Sequence, residues 1–201
     1  MRIRIIACLA AAALQAAVPA FAGNKGFQVF GAIDDGSAPT WAVSRHSEVP
    51  ADLRSKTIAF QSQLPPGSVI VRTGERKLYY VLPEGKAIAY HVGVGKEGFT
   101  WSGTNVVSRK AEWPDWRPPA EMIAREARRG RYLPDYMPGG PNNPLGARAI
   151  YIGDTMFRIH GTSQPWSIGQ AVSSGCIRMM NEEVIDLYNR VQIGALVVVE
   201  E

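Results

Sequence analysis

The stretch "SVIVRTGERKLYYVL", residues 68–82, decides the fold class. Two runs rich in Val, Ile, Leu and Tyr flank Thr73-Gly74. β-Branched and aromatic runs around a turn dipeptide are the signature of a β-hairpin. The pattern repeats outward. "AIAYHVGVG" (87–95) reads as a third strand ending in glycines, and "TNVVSRKAEW" (104–113) as a fourth. "ARAIYIGDTMFRIHG" (147–161) reads as a hairpin turning at Gly153-Asp154, and "ALVVVEE" (195–201) as a closing strand. Strands this short and closely spaced predict a mainly β sandwich or barrel rather than an alternating α/β fold.

Two segments break the β pattern. "PPAEMIAREARRG" (118–130) carries Pro119 near a helix start and Gly130 as a stop. "NEEVIDLYNRVQIG" (181–194) opens with Asn181 as an expected N-cap and two acids in the first turn. Val184, Leu187, Tyr188 and Val191 form an apolar stripe expected to pack on the sheet. Between Glu112 and Gly146 lie seven of the 14 prolines, with Trp113, Trp116, Tyr132 and Tyr136. This composition predicts a long excursion beside a functional site, since long loops in small domains often wall or cover one.

Upstream, "MRIRIIACLAAAALQAAVPAFAG" has Arg2 and Arg4, an apolar alanine-rich run and then Ala20-Phe21-Ala22. That is the layout of a signal peptide, and cleavage is expected after Ala22. The expected organisation is a leader over 1–22, an extension over 23–66 and one domain over 67–201. Within the extension, "KTIAFQS" (56–62) reads as an edge strand. No later run is long and apolar enough to span a bilayer, so no transmembrane segment is expected after cleavage. Loss of the leader's two arginines lowers the formal charge from +4 to +2. Lys/Arg-rich runs are missing, which argues against a nucleic-acid partner.

The chain has two cysteines and three histidines. Cleavage removes Cys8 and leaves Cys176 alone in an oxidising compartment, where cysteines normally pair. A solitary thiol there is either deeply buried or reactive. His160 lies sixteen positions upstream, at the end of an expected strand whose alternation places Arg158 and His160 on one side and Phe157 and Ile159 on the other. A nearby imidazole lowers a thiol's pKa and takes its proton. Gly161 and Gly175 let the chain turn sharply beside these residues, and amides near Gly175 and Cys176 are placed to face an oxyanion. A structural zinc site needs four ligands. His91, mid-strand, reads as structural, and His46 lies in the extension, so no metal or other cofactor is expected.

The motifs "IHGT" (159–162) and "VSSGCIRM" (172–179), with upstream "GVGKEGF", "SRK", "WRPP" and "PGGPNNPLGARAIYI", resemble the L,D-transpeptidase catalytic domain family, the YkuD type with its ErfK/YbiS/YcfS/YnhG group. The resemblance runs from about Ser68 to Glu200. It implies a YkuD-like β fold, Cys176 as nucleophile and His160 as acid/base. It also implies a substrate or oxyanion site around Gly161, Ser173, Ser174, Gly175 and Arg178. The family usually has histidine where Ser174 stands. Arg178 stands where some members have asparagine, and its guanidinium suits either site order or a substrate carboxylate.

The implied substrate is a peptidoglycan tetrapeptide stem, acylated onto Cys176 with release of D-alanine. Transfer to a second stem would give a 3→3 cross-link, in the periplasm or cell wall. An envelope-protein lysine, a free D-amino acid or water are the alternative acceptors. A non-catalytic wall-binding module and a cysteine peptidase are the readings from other classes.

Overall fold

The computed structural model describes residues 50–201. The expected leader, most of the extension, Cys8 and His46 lie outside them. The hairpin at 68–82 forms from β2 (Val69–Arg72) and β3 (Lys77–Leu82), paired antiparallel from Val69↔Tyr80 to Arg72↔Lys77. Its turn is longer than the Thr73-Gly74 dipeptide suggests. Arg76 N–H donates to Thr73 C=O at 3.2 Å, and Arg76, rather than Gly74, takes the left-handed conformation at φ 54°.

Apolar residues of both parities occur in these strands because both faces are covered. Val69, Val71 and Leu78 enter the main core. Ile70, Tyr79 and Val81 pack under Phe60 and Leu64, with Phe60 stacked on Tyr79 at 4.6 Å. The segment carrying Phe60 follows β1 (Lys56–Ala59), which pairs with β4 (Lys86–His91) at the sheet edge.

The expected third strand divides. β4 ends at His91, which faces Lys77 in the ladder, and β5 (Val94–Gly95) leaves to pair with β9 (Ala171–Ser173) in a second, two-stranded sheet. Gly93 lies where the chain departs. A Cβ there would come within 2.5 Å of Ser167 C=O, so no larger residue fits this crossing.

Among the described residues the main sheet has nine strands in the order β1-β4-β3-β2-β11-β6-β7-β8-β10. β11 (Leu196–Glu200) runs parallel to β2. β6 (Gly103–Glu112) pairs with β11 through its first half and with β7 (Arg148–Ile152) through its second. A register shift between Val107 and Arg109 separates the halves, and such a bulge bends a strand and sharpens its twist. The sheet curls there around the core. β8 (Arg158–His160) and β10 (Ile177–Arg178) complete the far edge.

Two α-helices fall among the described residues, α1 (Ala120–Ala127) and α2 (Asn181–Arg190). Val184 and Leu187 of α2, with Val191 just past its end, are fully buried in the main core, and Tyr188 packs at its border. Burial of each aliphatic side chain contributes about 1.5–3 kcal/mol. Tyr90, also fully buried, donates from its hydroxyl to Asp186 Oδ2 at 2.6 Å and ties α2 to β4. The Pro-rich excursion carries α1 and a small core of its own, Trp116, Leu133 and Leu145 with Met122, Ile123 and Met137.

Candidate active site

β8 and β10 pair in parallel, with Ile177↔Ile159 and Arg178↔His160 in register. Parallel neighbours need a crossover of a dozen or more residues, and the sixteen residues between these strands provide it. Ile159 and Ile177 both point into the core. Strand alternation then turns Arg158, His160, Cys176 and Arg178 to the opposite side, where all four line one cleft of about 570 Å³. The two residues singled out in the sequence therefore belong to one site. Among the described residues no three His, Cys, Asp or Glu side chains form a group able to hold a metal ion.

His160 is buried at 4% exposure. Its Nδ1 lies 2.5 Å from Gly161 C=O. A carbonyl only accepts, so Nδ1 carries the proton and the neutral ring keeps its lone pair on Nε2, the tautomer a general base requires. Burial, then the positive charge of Arg178, pushes the imidazole down to about 3, against the opposing pull of the Gly161 and Leu145 carbonyls. Burial also pushes the half-buried Cys176 thiol up, while Arg158 and Arg178 draw it only partly back. This corrects the expectation of a thiol lowered by its imidazole neighbour. Desolvation thus favours the neutral thiol and the neutral imidazole, because it penalises either charge.

The loop after His160 is held by a residue whose role differs from the expected one. Asn181 is the first residue of α2, and Met180 occupies the cap position with no side-chain cap bond. The Asn181 amide instead crosses to the site. Its Oδ1 accepts from Ala147 N–H at 3.0 Å and Thr162 N–H at 3.2 Å, and its Nδ2 donates to Thr162 C=O at 3.1 Å. Gly161 packs directly against this amide, leaving no room for a Cβ.

The turn before Cys176 is held from within. Ser173 Oγ donates to Cys176 C=O at 2.6 Å and accepts from Gly175 N–H at 3.1 Å. Ser173 is thus the clasp of the turn. The Gly175 amide, expected to face an oxyanion, is already engaged. Gly175 takes φ 106°, and a Cβ there would meet the Phe157 ring at 2.5 Å. Phe157 stacks on Trp101 at 4.6 Å, and Trp101 Nε1 donates to Gly175 C=O at 3.1 Å.

Ser174 faces the excursion. Arg125 of α1 donates from Nη2 to Ser174 Oγ at 3.1 Å. Arg178 donates from Nη1 to Gln164 Oε1 at 3.0 Å. The Nε atoms of Arg158 and Arg178 are buried without a hydrogen-bond partner. Six cationic side chains and only two carboxylates, Glu121 and Glu126, line the cleft. Sequence reasoning missed Arg125, Trp101 and the bridging role of Asn181, and it placed Arg158 on the side of His160 without giving it a role. Only the placing of the excursion beside the site hinted at Arg125.

Residues 66–199 match the family model for the L,D-transpeptidase catalytic domain, YkuD. The protein named as the probable L,D-transpeptidase ErfK/SrfK of Escherichia coli (strain K12) is 38% identical over 134 residues, 64% of this chain and 42% of its own length. The chain thus spans about two-fifths of that relative's length. YkuD of Bacillus subtilis (strain 168) is 30% identical over 155 residues, 76% of this chain and 92% of its own. Among solved structures, an L,D-transpeptidase from Mycobacterium smegmatis superposes with a TM-score of 0.51 at 18% identity, covering 66% of this chain and 58% of that one. The ertapenem-acylated catalytic domain of an E. faecium L,D-transpeptidase gives 0.50 at 20% identity, covering 66% and 95%. The family-model match takes in β2 through β11 together with His160, Cys176 and the turn between them, and the chain belongs to the L,D-transpeptidase catalytic domain family.

Proposed function

We propose that the protein is an exported peptidoglycan L,D-transpeptidase. In this reading residues 1–22 are a cleaved leader and 67–201 the catalytic domain, acting in the periplasm or cell wall. The observation that carries it is the parallel β8–β10 register, which turns His160 and Cys176 into one cationic cleft. A stem peptide is rich in carboxylates and suits such a lining.

His160 Nε2 takes the Cys176 proton as the sulfur attacks the carbonyl at the L-centre of the third, diamino residue. The C–N bond to D-alanine breaks. His160 returns the proton to the leaving nitrogen, and a thioester remains on Cys176. An acceptor amine then gives its proton to His160 and attacks the thioester, forming a new amide and restoring the thiol. With a second diamino residue as acceptor the product is a 3→3 cross-link.

With the Gly175 amide engaged by Ser173, the Cys176 amide and the cationic rim are left to meet the developing oxyanion. In this reading Arg178, which donates to Gln164, binds substrate rather than transferring protons. Purified enzyme with a tetrapeptide donor tests the reading. Release of D-alanine and a dimeric muropeptide joined through the third residues are expected. No D-alanine release, or equal release by Cys176→Ala, would overturn it.

A further inference from the structure

Helix α1 and the turn after it bring a cluster of three arginines and one buried carboxylate to the wall of the cleft. Glu126 has a side-chain exposure of only 3% and is surrounded by Arg125, Arg129 and Arg131. Arg131 Nε donates to Glu126 Oε2 at 2.6 Å, and Arg125 Nε donates to Oε1 at 3.3 Å. Burial raises the Glu126 carboxyl, but the three cations outweigh it and hold it below the usual carboxylate range. The carboxylate therefore stays ionised and serves as a fixed post for the guanidinium groups around it. One negative charge among three positive ones leaves the cluster cationic.

Arg125 projects from this post toward the nucleophile. Its guanidinium carbon lies over the Phe99 ring, 5.3 Å from the ring centroid, and its Nη2 donates to the neutral hydroxyl of Ser174, two residues before Cys176. A guanidinium bound to a neutral hydroxyl keeps most of its electrostatic capacity for an anion. It is also pre-oriented by Glu126 and Phe99, so little ordering cost remains when a ligand binds.

We infer that Arg125 is a specificity-determining residue that binds a carboxylate of the substrate peptide beside Cys176, with Glu126 as its positioning residue and Ser174 holding it in the ligand-free state. This rests on the proposed L,D-transpeptidase reading and deepens it. The partner of Arg125 is one of the two carboxylates at the diamino residue–D-alanine end of the stem, that of the terminal D-alanine or that at the D-centre of the diamino residue. The acidic cargo replaces Ser174 on Nη2 without moving the helix.

Binding of tetrapeptide donors to full-length Cys176→Ala, measured by calorimetry, tests this apart from turnover. Three donors are compared: unmodified, amidated on the terminal carboxyl, and amidated on the diamino residue's carboxyl. Adding Arg125→Ala is expected to weaken the unmodified donor by about 10-fold or more, the size of a lost charge-assisted hydrogen bond. The same change is expected to cost less than about 2-fold with whichever amide removes the partner of Arg125, which identifies the carboxylate. Adding Ser174→Ala instead breaks the tether but keeps the guanidinium, and the preference for the unmodified donor is expected to persist. A uniform loss across all three donors in Arg125→Ala would overturn the proposal, as would loss of the preference in Ser174→Ala. D-Alanine release by the Cys176 enzyme reports on the transpeptidase reading separately.

Discussion

At one end of the nine-stranded sheet, β2, β3 and β4 run four to six residues each and are joined by turns of four and three residues. At the other end, β8 and β10 have three and two residues and lie sixteen residues apart in the chain. The first end is local. Each strand finds its partner across a tight turn, and both faces are buried by apolar side chains. The second end is assembled from distant pieces. Its cleft face carries arginines, a histidine and a thiol, some with buried donors left unpaired. Both ends bury aliphatic side chains in the main core, Val69 and Leu78 from the first and Ile159 and Ile177 from the second, but only at the first are strand neighbours in sequence also neighbours in space. Chemistry is concentrated where they are not, because a cleft needs polar groups that no hairpin would bury on its own account.

Four substitutions sharpen that division. The largest effect is expected from Cys176→Ala, which should lower acylation by a carbapenem roughly 10⁴-fold or more. The unfolding midpoint should hardly move, because the half-buried thiol contributes little packing. Intact-mass measurement of the adduct reads the first quantity and a urea melt the second. An adduct on this variant equal to that on the parent would break the contrast at its centre.

His160→Gln comes next, with acylation expected to fall by about 10²–10⁴-fold. It also removes a pH signature. The folded imidazole sits near 3 and the unfolded one near 6.5, so only the unfolded chain gains a proton between these values. Stability is therefore full above about pH 6.5 and declines as pH falls toward about 3, by up to about 1.4 kcal/mol per unit. Chemical denaturation across this window should show the slope in the parent and a weaker one in His160→Gln. In the same pH range the parent's acylation rate should show no inflection near 6.5, since the folded base is already neutral. A clear inflection there would mean that the ring is solvated.

At the local end, Leu78→Ala should cost about 2–5 kcal/mol through lost transfer and a residual cavity. Acylation per folded molecule should stay at the parent's rate. If it fell along with stability, the two ends would be mechanically coupled through the curl at β6. The smallest effect is expected from Asn181→Ala. Losing its three bonds strands the Ala147 and Thr162 amides, at about 1–3 kcal/mol. Acylation should drop roughly 10-fold, as the loop behind His160 loosens. Hydrogen exchange at those two amides would show whether the loop has opened.

Much of this was legible from local pattern. The hairpin at 68–82, the closing strand and the buried α2 stripe follow from periodicity and turn residues. The pairing of His160 with Cys176 followed from their scarcity and from the motifs around them. Other readings failed for a shared reason. Asn181 looks like an N-cap because a helix follows it, yet its amide is drawn to backbone groups 19 and 34 residues away. Cys176 looks like a lowered thiol because a histidine is near, yet burial depends on everything that surrounds the pair. Gly175 looks like an oxyanion donor until Ser173 claims its amide.

A β-rich domain with His160 and Cys176 close to one sheet edge can be read from the chain alone, since alternation, turn chemistry and residue scarcity act over a few positions. The parallel β8–β10 register, the desolvation of His160 and Cys176, and the reach of Arg125 to Ser174 across 49 positions come from tertiary packing. Each of these depends on which surfaces exclude water together, and that is a property of the packed chain rather than of any window within it.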